Sequence, residues 1–149
     1  MQLESSRTLP TRTVALTVRA ADIADVPAIV RLVNRAYAVE EFFIRGPRTS
    51  QLEVAQRLAS GSFLVLDHQD SRGGDELAAS VFVKSEGNRG YFGLLAVDDG
   101  QQGLGLGRRL VAIAEALCAA RGCVAMDLQV VNLRTELRPW YRSLGYQEV

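Results

Sequence analysis

Residues 94–110 read LLAVDDGQQGLGLGRRL: strand-forming apolar residues, a glycine-punctuated turn, and then an apolar helix. That order fixes a strand feeding directly into a helix N-terminus, where several backbone N–H groups have no partner within the helix. Glycine costs roughly 1 kcal/mol against alanine inside a helix, so Gly103, Gly105 and Gly107 at alternate positions ask for a reason. One glycine suffices for a tight turn. Three leave bare backbone, so that an anion can approach the amides and the partial positive charge, near +0.5, of the helix start. Arg108 and Arg109, just inside the helix, add charge-assisted contacts. The loop predicts a phosphorylated ligand.

The rest of the chain supplies the frame for this turn. Residues 1–12 are polar and read as a loose tail, leaving 13–149 as a single domain. TVALTV (13–18) reads as a first strand. The following helix is capped by Asp22, has Pro27 near its start, and carries Ile23, Val26, Ile29, Val30, Val33 and Tyr37 as its buried stripe. Gly46-Pro47 breaks the next loop, and Ser50 with Glu53 stands in capping-box register for a short helix stopped by Gly61. Strands follow at 62–67, 77–84 and 91–97, joined by glycine-rich turns.

After the glycine loop, Leu106, Leu110, Ile113, Ala114 and Leu117 share one helix face, and Gly122 ends that helix. A strand at 124–131 precedes a last helix closed by Gly145. Pro139 in that helix is tolerated only near its start, which makes Thr135 the candidate N-cap. Hairpin-linked strands followed by strand–helix–strand–helix–strand describe an α/β domain with a mixed, mostly antiparallel sheet flanked by helices.

Composition narrows the partners. Formal net charge is zero, which encodes no bulk attraction to nucleic acid or anionic membrane. No apolar stretch reaches the ~20 residues that span a bilayer, and the N-terminus lacks a signal-peptide pattern. Cys118 and Cys123 fall in no metal or redox spacing and read as two thiols of a reducing compartment. A cytoplasmic protein without a metal site is expected. Lys84 is the only lysine beside many arginines, which either reflects compositional bias or serves phosphate binding.

Two other phosphate loops fit poorly. GLGLG approaches the dinucleotide fingerprint, with Asp127 placed 20 residues after Gly107 as a ribose-binding acid. However, Arg108 stands where the third glycine belongs, residues 98–102 intervene after the strand, and Asp127 falls mid-strand. A P-loop is excluded because no Gly-Lys-Ser/Thr follows.

Gln102, Gly105 and Gly107 fill the pattern Gln/Arg-x-x-Gly-x-Gly/Ala, and the stretch resembles the acetyl-CoA motif of the GNAT family of N-acetyltransferases. LQVVNLRTELRPWYRSLGY resembles the same family's strand with Asn and its helix ending in Tyr…Leu-Gly-Tyr/Phe, and VRAADIADVPAIVRLVNRAY its first strand and helix. The similarity covers roughly residues 14–149.

The resemblance implies that LLAV splays from strand 124–131. The pantetheine arm of acetyl-CoA then pairs with the backbone of Leu95, Ala96 and Val97, as an added strand does. It also implies that the pyrophosphate rests on the amides of Gln102, Gly103, Leu104, Gly105, Leu106, Gly107 and Arg108, with Asn132 helping to hold the cofactor. Acetyl transfer to an amine by direct attack needs a neutral amine, a stabilised oxyanion and a proton for the thiolate. Tyr141 matches the tyrosine that protonates the thiolate, and Glu40, following the first helix, is the candidate base. His68, the sole histidine, falls in a predicted hairpin turn and reads as exposed.

One departure stands out. Similar proteins continue past LGY for a further pair of strands, whereas this sequence stops at Val149, in the first of them; a fragment, a strand exchanged within a dimer and a shortened domain without the final strand are the open readings. The exposed edge invites pairing with a second copy. The expected activity is acetyl-CoA-dependent N-acetylation of a small-molecule or peptide amine. The alternative is a catalytically weak CoA-binding or assembly module without a complete acceptor site.

Overall fold

The computed structural model describes residues 17–37, 48–68, 76–101, 103–128 and 137–147. Strand β1 (Val18–Ala20) is followed by a single 3-10 turn (Ile23–Asp25) and helices α1 (Val26–Ala36) and α2 (Gln51–Ser60). Three strands come next, β2 (Ser62–Asp67), β3 (Leu77–Glu86) and β4 (Arg89–Val97). A second 3-10 turn (Asp99–Gln101) leads to α3 (Leu106–Ala120), β5 (Ala125–Asp127) and α4 (Leu137–Ser143).

The five strands lie in the order β1-β2-β3-β4-β5. Pairing is antiparallel from β1 to β4 and parallel between β4 and β5. This is the mixed, mostly antiparallel sheet expected from the hairpin pattern, and among the described residues its β5 edge is open.

Helices cover both faces. Ile29, Leu32 and Val33 of α1 and Val54 of α2 pack on Phe63, Val65, Leu77 and Phe82. On the other face Leu106, Leu110, Val111, Ala114 and Cys118 of α3, with Tyr141 of α4, pack on Leu64, Leu66, Val81, Val83 and Phe92. Alternation along β2 and β3 sends successive side chains to opposite faces. Both faces are buried, so these strands read as continuous apolar runs.

The first helix begins later than its apolar spacing predicts. The Asp22 carboxylate accepts from the Ala24 amide, and the Asp25 carboxylate accepts from the Asp22 amide, both at 2.9 Å. This reciprocal cap closes a 3-10 turn, and the α-helix starts only at Val26, with Pro27 in its first turn where no N–H is needed. Ile23 therefore sits outside the helix and is 69% exposed instead of joining the buried stripe. Arg19 locks the turn to the sheet by donating to Asp25 at 2.8 and 2.9 Å and to Asp67 at 2.7 and 2.9 Å. The guanidinium holds the Asp25 carboxyl below the usual carboxylate range.

The Ser50 cap forms as expected, its hydroxyl accepting from the Glu53 amide at 3.2 Å. The return half of the box does not form, because Glu53 accepts from the Thr49 hydroxyl at 2.6 Å. Gly61 ends α2 for a steric reason: a Cβ there would stand 2.6 Å from the Val83 carbonyl and 2.9 Å from the Phe82 ring. Gly122 and Gly145 end α3 and α4 with positive φ and the expected closing bonds, Cys123 amide to Cys118 carbonyl and Tyr146 amide to Tyr141 carbonyl. Pro139 is the third residue of α4, where its missing N–H costs nothing. The expected tail (1–12), the start of the first strand (13–16) and Thr135 lie outside the described residues.

Candidate active site

The site begins where the pairing of β4 with β5 ends. Their parallel pairing runs over Arg89–Ala125, Gly90–Met126 and Tyr91–Asp127, and Leu128, which would face Phe92, is no longer in a strand. Among the described residues, β4 from Phe92 to Val97 has no strand partner on that side. Arg89 clamps the junction, donating to both oxygens of Asp127 at 2.7 and 2.9 Å. Those hydrogen bonds lower the Asp127 pKa and occupy its carboxylate, which is a further reason to set aside a ribose-binding role.

The freed stretch carries the one non-glycine residue with positive φ among those described, Leu94 at +52°. A bulge accompanies it, since the β3–β4 register slips between Ser80 and Phe82. A leucine in the left-handed region costs roughly 1–2 kcal/mol, and strain of this kind collects at functional sites. Nothing local in the sequence announces it except Gly93 next door. One residue on, the Tyr37 hydroxyl donates to the Leu95 carbonyl at 2.8 Å, while Arg48 lies 5.4 Å above the Tyr37 ring. Tyr37 reads in the sequence as part of a helix stripe, and its contact with β4 is a second feature that spacing does not reveal. The Leu95 carbonyl keeps a second lone pair for another donor.

Val97 leads into the glycine turn. The backbone requires two of its three glycines, with φ of +83° at Gly103 and +76° at Gly105. Gly105 is the N-cap of α3, and no side chain caps that end. The first helical bond runs from the Arg109 amide to the Gly105 carbonyl at 3.0 Å, so the amides of Leu106, Gly107 and Arg108 precede it. Gly107 is different. A Cβ there would meet Trp140 at 3.5 Å and Val97 at 3.7 Å, which is ordinary contact. Leu106 is buried, while Leu104 and Arg108 are exposed.

His68 does not sit free in a turn as its sequence position suggests. It is half-buried, with Nε2 3.2 Å from Gln101 Nε2 and 3.8 Å from the Asp98 carboxylate. Arg35 donates to the same carboxylate at 3.1 Å. Together α1 and β2 thus brace the entrance of the glycine turn.

Tyr141, 8% exposed, enters from α4. Its ring lies 6.1 Å from Phe92, the first residue of β4 beyond the paired stretch, and 4.9 Å from Trp140. Trp140 in turn covers Gly107, so the tyrosine, the glycine turn and the free edge of β4 are brought together. Tyr141 also lines a groove of about 740 Å³ along β5, formed with α3, α4 and residues 144–147. A second phenol there, Tyr146, donates to Glu115 at 2.6 Å. Burial and that bond push its pKa well above the usual phenol range, so its proton is committed.

Gln102, Asn132 and Glu40 lie outside the described residues. Both cysteines are free thiols, and burial pushes the Cys118 thiol up. Among the described residues no three His, Cys, Asp or Glu side chains cluster as metal ligands, and no helix is long and apolar enough to cross a membrane.

An unpaired strand edge beside an uncapped helix N-terminus suits a ligand with an amide-bearing arm and a phosphate, and it places a phenol nearby. The sequence profile of the acetyltransferase (GNAT) domain matches residues 59–148. A search of curated protein sequences gives no match. Among solved structures, the fold is similar to the ribosomal-protein-S18-alanine N-acetyltransferase from Escherichia coli, with 23% identity over 90% of this chain and 79% of that one, and a TM-score of 0.72. It is similar to a GNAT-family acetyltransferase from Staphylococcus aureus, with 14% identity over 90% and 85% and a TM-score of 0.72. A predicted acetyltransferase with acetyl-CoA from Clostridium acetobutylicum gives 15% identity over 90% and 91% and a TM-score of 0.67.

Proposed function

This chain belongs to the acetyltransferase (GNAT) family, and we propose that it transfers the acetyl group of acetyl-CoA to a primary amine of a small molecule or peptide. The observation that carries this reading is the end of the β4–β5 pairing at Tyr91, which leaves Phe92 to Val97 without a strand partner on that side among the described residues, beside the glycine turn and Tyr141. In this reading the pantetheine arm adds to the edge of β4 at Leu95, Ala96 and Val97. The pyrophosphate takes the amides from Gln102 to Arg108, and Asn132 helps to hold the cofactor. The amine nitrogen bonds to the thioester carbon as the carbon–sulfur bond breaks. Tyr141 gives its proton to the departing thiolate, and Glu40 takes the proton that the amine loses. Tyr146 does not share this role, because its hydroxyl is donated to Glu115.

Free thiols and the lack of a spanning helix among the described residues fit a cytoplasmic enzyme. The open β5 edge fits a homodimer paired through that strand. The second reading is a CoA-binding or assembly module with a weak acceptor site. Acetyl-CoA at 100 times its dissociation constant is expected to add about 2.7 kcal/mol of stability, seen as a raised melting midpoint. NAD and ATP serve as controls. A shift with NAD alone, or no shift with any ligand, contradicts the assignment.

A further inference from the structure

Tyr91 is the last residue of β4 that pairs with β5, so it stands where the free edge of β4 begins among the described residues. It packs with the α1 and α2 face of the sheet, opposite the face that holds Tyr141. Its side chain folds back along its own strand. The hydroxyl lies 2.6 Å from where a Cβ of Gly93 would stand, and two ring atoms lie at 3.1 Å. Glycine at 93 is therefore what lets the phenol reach the bulged stretch that starts at Leu94. Among the described residues that hydroxyl has no hydrogen-bond partner, although a half-buried phenol ordinarily finds one.

The ring is held from two sides. Phe82 meets it edge-on with centroids 6.4 Å apart, and the Lys84 ammonium sits 5.8 Å from its centroid. Lys84 is the only lysine in the chain, is half-buried, and has no carboxylate partner among the described residues. A second cation, Arg57, lies 5.1 Å over Phe82, with Glu53 at 4.0 Å. An unmatched, half-buried cation attracts an anion more strongly than one in open water. It also disfavours the ammonium form of a nearby amine, leaving the neutral nucleophile.

We propose that Tyr91 and Lys84 form the subsite that receives the acceptor. The Tyr91 hydroxyl contacts the acceptor beside the reacting carbon, and Lys84 selects amines that also carry an anionic group, a carboxylate or a phosphate. This rests on the reading that acetyl-CoA lies along the free edge of β4. It assigns the opposite side of that edge from Tyr141 to the acceptor, so each substrate has its own polar contact.

The test uses two matched probe pairs: β-alanine with β-alaninamide, and 2-aminoethyl phosphate with ethanolamine. Free-thiol release gives KM and kcat for the wild type, Lys84→Met, Lys84→Arg and Tyr91→Phe. The anionic member of at least one pair is expected to show a KM about tenfold lower in the wild type, and the pair that responds identifies the anion. Lys84→Met abolishes the preference and Lys84→Arg retains it. Tyr91→Phe raises the KM of every acceptor and leaves that of acetyl-CoA unchanged. Equal KM values within both pairs, a preference that survives Lys84→Met, or an unchanged acceptor KM in Tyr91→Phe overturns the proposal. The melting shift that each probe adds is read separately, with and without CoA. Stabilisation by acetyl-CoA without any anion-dependent probe shift refutes the subsite alone. Failure of acetyl-CoA to stabilise the protein refutes the family-based reading, and the subsite then stands or falls on the shifts the probes give without CoA.

Discussion

Tyr141→Phe is expected to lower kcat by about a hundredfold or more, the range for losing a positioned general acid, while acetyl-CoA binds as before. The substitution keeps the ring and so keeps its packing on Phe92, Trp140 and Tyr146. Only the hydroxyl is lost, at a stability cost of about 1 kcal/mol, that of a typical hydrogen bond. Steady-state kinetics beside an acetyl-CoA titration separates the two effects. An unchanged kcat would leave Tyr141 as one more aromatic in a cluster and remove it from the mechanism.

Gly107→Ala is expected to move stability and binding in opposite directions. The added methyl meets Trp140 and Val97 at ordinary contact distance, and alanine in a helix is favoured over glycine by up to about 1 kcal/mol. The melting midpoint therefore rises or holds. The same methyl projects at the helix start where a pyrophosphate approaches the amides, so acetyl-CoA affinity falls by about tenfold to a hundredfold. Gly105→Ala in the same turn behaves differently, because its φ of +76° strains any L-residue and lowers the midpoint before a ligand is added. Unchanged affinity in Gly107→Ala would mean that the turn serves the backbone alone.

Much of this frame is legible in the sequence because it is written locally. SFLVLD forms β2 as read, since a strand buried on both faces needs an unbroken apolar run. Leu110 and Ala114 mark the inner face of α3, and Val111 and Cys118 complete it. The glycine turn could be placed between strand and helix from its residues, but its three glycines do not share one reason. Two satisfy left-handed backbone, and only Gly107 lacks an internal cause.

The features that escaped are set between elements. The bulge at Leu94 comes from how β3 and β4 register, which no window along either strand contains. The reciprocal cap that ejects Ile23 from the first helix depends on Asp25, a residue that Arg19 and Asp67 fix from the sheet. His68 reads as a turn residue because its partners Gln101 and Asp98 lie about thirty positions away. Tyr91 gains its meaning only from where the pairing of β4 with β5 ends, next to the Arg89–Asp127 ion pair.

In the proposed reading, the edge that β4 presents beyond Tyr91 serves acetyl transfer to an amine. Free-thiol release from acetyl-CoA by the wild-type protein, with and without a panel of primary amines, tests it most directly. Release is expected to saturate with amine and fall to background without one, together with the acetylated amine in equal amount. Thiol release that ignores the amine, or acetyl-CoA bound but never consumed with any amine offered, would contradict it.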